Sequence, residues 1–141
     1  MRFRIPLQII ELEQDNFHLL VKGVFSDGAT VNWVIDTGAS KSVFDKNLQE
    51  KYTPLDDASE QIHSAGIGDE PLETSLGILK TFSLGKLNIE TSKMALLDLA
   101  KINELYSKSV DLKIGGLLGG DFLVKYQAVI DYKKRLLMLR K

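Results

Sequence analysis

A chain of 141 residues, 44% hydrophobic and 26% charged, can bury the core of one globular domain, and a net charge of −1 without a basic block argues against nucleic acid or an anionic membrane as partner. With no cysteine and two histidines, disulfides, thiolate zinc sites and cysteine catalysis are excluded, a multi-histidine metal site is disfavoured, and no cofactor is expected. No apolar run reaches the ~20 residues of a membrane span, and MRFRIPLQIIELEQDN lacks the apolar core and cleavage site of a signal peptide, so a cytoplasmic protein is expected.

In chain order, RIPLQIIELE and NFHLLVKGVF read as strands with partial alternation of apolar and polar residues. Asp27-Gly28 within SDGA is a tight-hairpin signal, so TVNWVIDTG returns along the preceding strand and delivers Asp36 at its far end. SVFDKNLQEKY has helical spacing at Phe44 and Leu48 and predicts a short helix. HSAGIGDE centres on Gly66-Ile67-Gly68, which predicts a mobile hairpin tip able to act as a lid. SLGILKTFSLGKLNIE predicts a hairpin turning at Leu84-Gly85-Lys86, and KMALLDL a further strand. DLAKINELYSK is the best helix, with Asp98 as N-cap and Leu99, Ile102 and Tyr106 on one face. In GGLLGGDFL, Asp121 can cap a short helix over DFLVKY. QAVIDYKKRLLML predicts a hairpin over residues 132–135, shaped by Asp131. Strands outnumber helices, and neither repeat nor linker divides the chain. The expected class is mainly β with one or two short helices, as a single domain over residues 1–141.

VIDTGAS places an acid at the end of an apolar run. Read alone, Asp36 fits a strand-end cap, because Asp-x-Gly commonly closes a turn. Read as chemistry, Asp36 is a general acid or base, Thr37 locks the loop through its hydroxyl, and Gly38 lets a ligand approach the backbone. Trp33 reads as packing rather than recognition, and His63 as an exposed loop residue. The acidic segments LDDASE and GDEPLE read as solvated loops.

VIDTGAS, the glycine-flanked tip GIG and GLLGGDFL, followed by AVIDYKKRLLML, resemble in order and spacing the retropepsin-like aspartic proteases, the family of retroviral proteases and of single pepsin lobes. The match runs from about residue 16 to the C-terminus, with the apolar-apolar-Gly element about 80 residues after Asp36. The DLAKINE helix is similar to a bacterial branch. The resemblance implies a single-lobe acid-protease β-barrel in which Asp36 is catalytic. Thr37, Gly38, Leu117, Leu118 and Gly119 would support the acid loop, with the Leu-Leu-Gly element crossing beneath it. Gly38, Ala39 and a flap over residues 62–74, through Gly66, Ile67 and Gly68, would contact substrate. Asp121 is implied to be a structural cap. Viral members carry an acid at the position of Ser40 and an arginine at that of Gly120, so this corner must be built differently. Ala39 lacks the hydroxyl that pepsin-like lobes place there, which implies an optimum in mildly acidic to near-neutral conditions.

One Asp-Thr-Gly occurs and no Asp-Ser-Gly. A catalytic pair then requires Asp36 of another copy, in a homodimer with two-fold symmetry. The expected function is an aspartic endopeptidase acting on peptide or protein substrates. The alternative is a non-catalytic dimeric peptide-binding module with the same fold. The terminal segments RFRIPLQII and RLLMLRK, expected as unpaired edges, are the candidate dimer interface.

Overall fold

In the computed structural model, which describes residues 1–55, 75–90 and 92–141, RIPLQIIELE is broken at Leu7 into β1 (Arg2–Pro6) and β2 (Gln8–Glu13), which join different sheets. The Asp27-Gly28 turn forms as expected between β3 (Asn16–Phe25) and β4 (Thr30–Ile35). Gly28 takes φ +88°, and the Asp27 carboxylate accepts the Ala29 N–H at 2.9 Å. The long β3 shares one edge between two partners. Its first half pairs with β2 and its last three residues with β8 (Phe82–Leu84).

Helical spacing misleads at Phe44 and Leu48. Val43–Asp45 is a strand, β5, held in parallel by β10 (Ser92–Leu97) and antiparallel by β11 (Ile114–Leu118). Pairing on both edges and complete burial of Phe44 override a weak local preference. Leu48 only precedes a 3-10 turn at Gln49–Lys51. Next come β6 (Tyr52–Leu55) and β7 (Ser75–Leu79). The turn at Gly85 joins β8 to β9 (Leu87–Ile89), but β7, in the same predicted hairpin, pairs with β6 and β10 instead. Helix α1 spans Ala100–Ser109 and α2 Gly120–Lys125, and β12 (Val129–Asp131) and β13 (Leu136–Arg140) form the closing hairpin. Asp131 shapes its turn by accepting the Lys134 N–H at 2.9 Å.

The mainly β expectation holds, with two short helices. Among the described residues the large sheet runs β6-β7-β10-β5-β11-β4-β3-β8-β9, and β1-β13-β12 form a second one. Alternation along the central strands sends side chains to both faces. Trp33 and Ile35 of β4 and Leu118 of β11 enter the main core, while Val34 and Leu117 face the cluster of Ile10, Leu20, Tyr106 and Ile114 beneath α1. Strands covered on both sides read as continuous apolar runs, which is why Asp36 directly follows Trp33-Val34-Ile35, all three buried. Trp33 is packing, as expected. It is fully buried, stacked on Phe82 with ring centroids 5.0 Å apart, and meets Phe44 at 5.5 Å. Among the described residues no helix is long and apolar enough to cross a membrane.

The reading of RLLMLRK as an unpaired edge is corrected. β13 is the middle strand of its sheet, with Phe3 opposite Leu139 on one side and Ile130 opposite Leu137 on the other. Leu137 and Leu139, 0% and 1% exposed, belong to the main core. Each buried leucine contributes about 1.5–3 kcal/mol, and the ladder of β1 goes with them. Deleting residues 137–141 should therefore abolish cooperative thermal unfolding, measured by circular dichroism, rather than only weaken self-association.

Candidate active site

Parallel pairing of β4 and β11 sets Val34 opposite Leu117 and Ile35 opposite Leu118, so both strands end at one point of the sheet. The acid loop leaves one strand and the double glycine leaves the other. Asp36 donates its backbone N–H to Leu118 O at 2.9 Å. Its Oδ1 accepts the Gly38 N–H at 3.1 Å, and Ala39 N–H returns to Asp36 O at 3.2 Å. Through the Leu118 carbonyl the Leu-Leu-Gly element is hydrogen-bonded to the acid loop. Asp36 is half-buried, and Thr37 and Gly38 are exposed. The expected lock through the Thr37 hydroxyl finds no partner among the described residues.

Gly119 and Gly120 pass directly under this loop. A Cβ on Gly119 would lie 2.7 Å from Ala39 O and 2.8 Å from Lys41 O, so glycine alone allows the approach. Gly120 N–H donates to Ala39 O at 2.7 Å and Asp121 N–H to Ser40 O at 3.2 Å. Asp121 is not the N-cap of α2. Gly119 takes that position, and Asp121 stands in the first turn, where Oδ1 accepts the Phe122 N–H at 2.8 Å. The same oxygen accepts Ser42 N–H at 2.9 Å and Ser42 Oγ–H at 2.7 Å, while Ser42 Oγ accepts Gly119 N–H at 3.0 Å. A buried serine and this aspartate, 79 residues apart, thus build the corner around Ser40 and Gly120.

Beside Asp36 opens a cleft of about 520 Å³, floored by Val34, Leu117 and Ile102 and walled by β2, β3, α1 and the Tyr132 turn. Exposed apolar side chains are gathered at this cleft, among them Phe17, Leu105 and Tyr132. An opening of about 530 Å³ between α2 and the end of β13 is lined by Glu90, Lys125 and Arg140 and includes no residue of the acid loop. The candidate site is therefore the first.

The wall α1 is tied down at three points. At its start, Asp98 Oδ1 accepts the Ala100 N–H at 2.9 Å, which caps the helix from one residue before the N-cap position, held by Leu99. That hydrogen bond, and another from Asn47, hold the Asp98 carboxyl below its ordinary value. Buried Asp45 accepts from Asn47 and from the Leu99 N–H. Midway, Asn103 exchanges two hydrogen bonds with the backbone of Ile114, at 3.0 and 2.5 Å. Further on, Tyr106 Oη lies 2.9 Å from His18 Nδ1 on β3. Burial raises the Tyr106 phenol above its usual value, and the negative charge of Asp36 adds to the effect.

Asp36, Thr37, Gly38, Ala39, Leu117, Leu118 and Gly119 are thus gathered at one end of the sheet. Gly66, Ile67, Gly68, His63 and the flap over residues 62–74 lie outside the described residues. Ser42, Asn103, His18 and the meeting of Asp45 with Leu99 have no local signal in the sequence, since each partner lies on another element. The helical face predicted for Tyr106 points to burial but not to His18.

A family model for aspartyl proteases matches residues 21–122. A retropepsin-like aspartic protease from Rickettsia conorii has a similar structure, with a TM-score of 0.51 at 21% identity over 99% of this chain and 90% of that one. The retroviral protease-like domain of Ddi1 from Leishmania major is also similar, with a TM-score of 0.52 at 18% identity over 86% and 87% of the two chains. At these identities the likeness is one of fold. No curated protein matches.

Replacing Ser42 by alanine leaves the Gly119 N–H without its acceptor and removes one donor from Asp121. Urea unfolding of Ser42→Ala should show a loss of about 1–3 kcal/mol, the usual cost of orphaning a buried polar group.

Proposed function

The chain belongs to the aspartyl protease family, and on that premise we propose that it is an aspartic endopeptidase whose catalytic pair is Asp36 of one protomer and Asp36 of a second copy. The observation that carries this reading is a half-buried carboxylate, fixed by its own loop backbone, at a cleft wide enough for a peptide side chain. Need for a second copy follows from chemistry. Peptide hydrolysis by carboxylates uses one acid and one base, and the chain has a single Asp-Thr-Gly. Among the described residues lining the cleft the other carboxylate is Glu13, which lies at the exposed end of β2 and not on a matching loop. Exposure of Thr37 and Gly38 beside the acid leaves room for a two-fold partner.

In the dimer, two carboxylates ~3 Å apart share one proton. The ionised member takes a proton from a water lying between them as its oxygen attacks the scissile carbonyl carbon. The protonated member gives its proton to the carbonyl oxygen, so a neutral gem-diol forms. Collapse of the diol breaks the C–N bond, with one proton passing to the leaving nitrogen and one returning to the pair. Leu118 would act only by position, holding the Asp36 backbone while the side chain exchanges its proton. Gly38 and Ala39 offer backbone to the peptide, and the flap glycines, Gly66 and Gly68, would close over it.

Asp36→Asn should lower peptide hydrolysis by at least about a thousandfold, with the circular dichroism spectrum unchanged. Undiminished cleavage by that variant refutes the mechanism, and peptide binding without any cleavage by the native chain leaves the binding-module reading. The rate should follow a bell-shaped pH profile, whose two limbs report the pair and not either aspartate alone. Sedimentation at micromolar concentration should show a dimer, and a strict monomer that still cleaves peptide would exclude the shared site.

A further inference from the structure

Among the described residues the cleft beside Asp36 carries one imidazole, and its bonding leaves a single nitrogen uncommitted. His18 is half-buried on β3, with Nδ1 2.9 Å from Tyr106 Oη and the two rings edge to face, their centroids 5.6 Å apart. Tyr106 is 3% exposed, and its raised phenol keeps its proton through the neutral range. Among the described residues the buried Tyr106 hydroxyl has no other hydrogen-bond partner, so the neutral tautomer that accepts its hydrogen at Nδ1, with the ring hydrogen on Nε2, is the one that satisfies it. In a charged imidazole both nitrogens donate, Nδ1 to the phenol oxygen. Nε2 is therefore a donor in either state. Among the described residues Nε2 has no acceptor, and Trp33 Nε1 is the buried polar atom left unpaired there. Nε2 is thus open to solvent, on a residue that lines the cleft.

We propose that His18 is a specificity-determining residue, whose Nε2–H receives a hydrogen-bond acceptor at the tip of a substrate side chain lying along the apolar floor of Val34, Leu117 and Ile102. The occupant is a neutral acceptor such as glutamine. Glu13 and Asp36 line the same cleft and disfavour a carboxylate tip, whereas an apolar side chain of equal length leaves the donor unpaired. Tyr106 is a positioning residue. Its hydroxyl fixes the ring, and its place on α1, pinned to β11 through Asn103, fixes the hydroxyl. The proposal rests on the peptide-cleft reading of this site, but not on turnover.

The test is therefore a binding measurement on the full-length Asp36→Asn protein. Fluorescent peptides would carry glutamine or methionine in turn at each position near the scissile bond, and affinity would be read by anisotropy. One position should prefer glutamine. His18→Phe in that background should reduce the glutamine-to-methionine ratio about fivefold, the worth of one neutral hydrogen bond. Tyr106→Phe, which keeps the ring and loses the hydroxyl, should reduce it in part, and His18→Gln, which can still donate, should retain part of it. A ratio unaltered by both His18→Phe and Tyr106→Phe overturns the proposal, as does a preference for methionine at every position or binding of neither peptide. If His18→Phe does not fold, Tyr106→Phe alone decides. Glutamine-selective binding with no hydrolysis by the native chain would end the endopeptidase reading and leave this one standing.

Discussion

The parallel pairing of β4 with β11 is the constraint on which the acid corner depends. Two strands far apart in the chain run side by side in the same direction, so their last residues, Ile35 and Leu118, are neighbours. An antiparallel pair would have sent the two loops to opposite ends of the sheet. Because the pair is parallel, the Asp36 N–H reaches Leu118 O and the Gly119 backbone slides beneath Ala39 and Lys41. The side chains on these strands then have no choice of direction. Trp33, Ile35 and Leu118 fill one core, and Val34 and Leu117 fill the other and floor the cleft.

Placing an acid there requires a loop that does not relax. The loop is short of side-chain contacts, since Thr37 and Gly38 are exposed, so backbone hydrogen bonds carry the load. Ser42 and Asp121 complete the arrangement from below by tying the chain after the acid loop to the first turn of α2. A compact network in which one oxygen accepts three donors holds both loops in register.

Helix α1 adds a wall that the sheet does not supply. Its mean position follows from Asp98, Asn103 and Tyr106, three side chains that each bind a different element. Tyr106 links acid loop and wall electrostatically, because the charge of Asp36 reaches its phenol. A helix fixed at so many points gives the cleft a shaped side, and shape with few polar groups is what a peptide side-chain subsite needs.

Much of this was legible in the sequence. Asp27-Gly28 demanded a hairpin because the turn needs positive φ, and Gly28 has it. The helix from residue 100 and the hairpin over residues 132–135 followed from spacing, as did the burial of Trp33 and Tyr106. The acid loop and its glycine brace could be named because VIDTGAS and GLLGGDFL resemble, in order and spacing, the retropepsin-like aspartic proteases. Local pattern failed where partners lie far away. Phe44 became a strand residue because β10 and β11 flank it, RLLMLRK became a central strand because β1 and β12 do, and Asp121 turned from cap to tie because Ser42 is beside it. The sequence by itself determined the mainly β class and the tight turns, since these depend on backbone preferences over a few residues, and it carried the acid corner through the resemblance of its motifs. Only the tertiary structure decided strand order, the Ser42–Asp121 tie and the meeting of His18 with Tyr106, since contacts between residues 79 and 88 positions apart arise from packing that no local preference encodes.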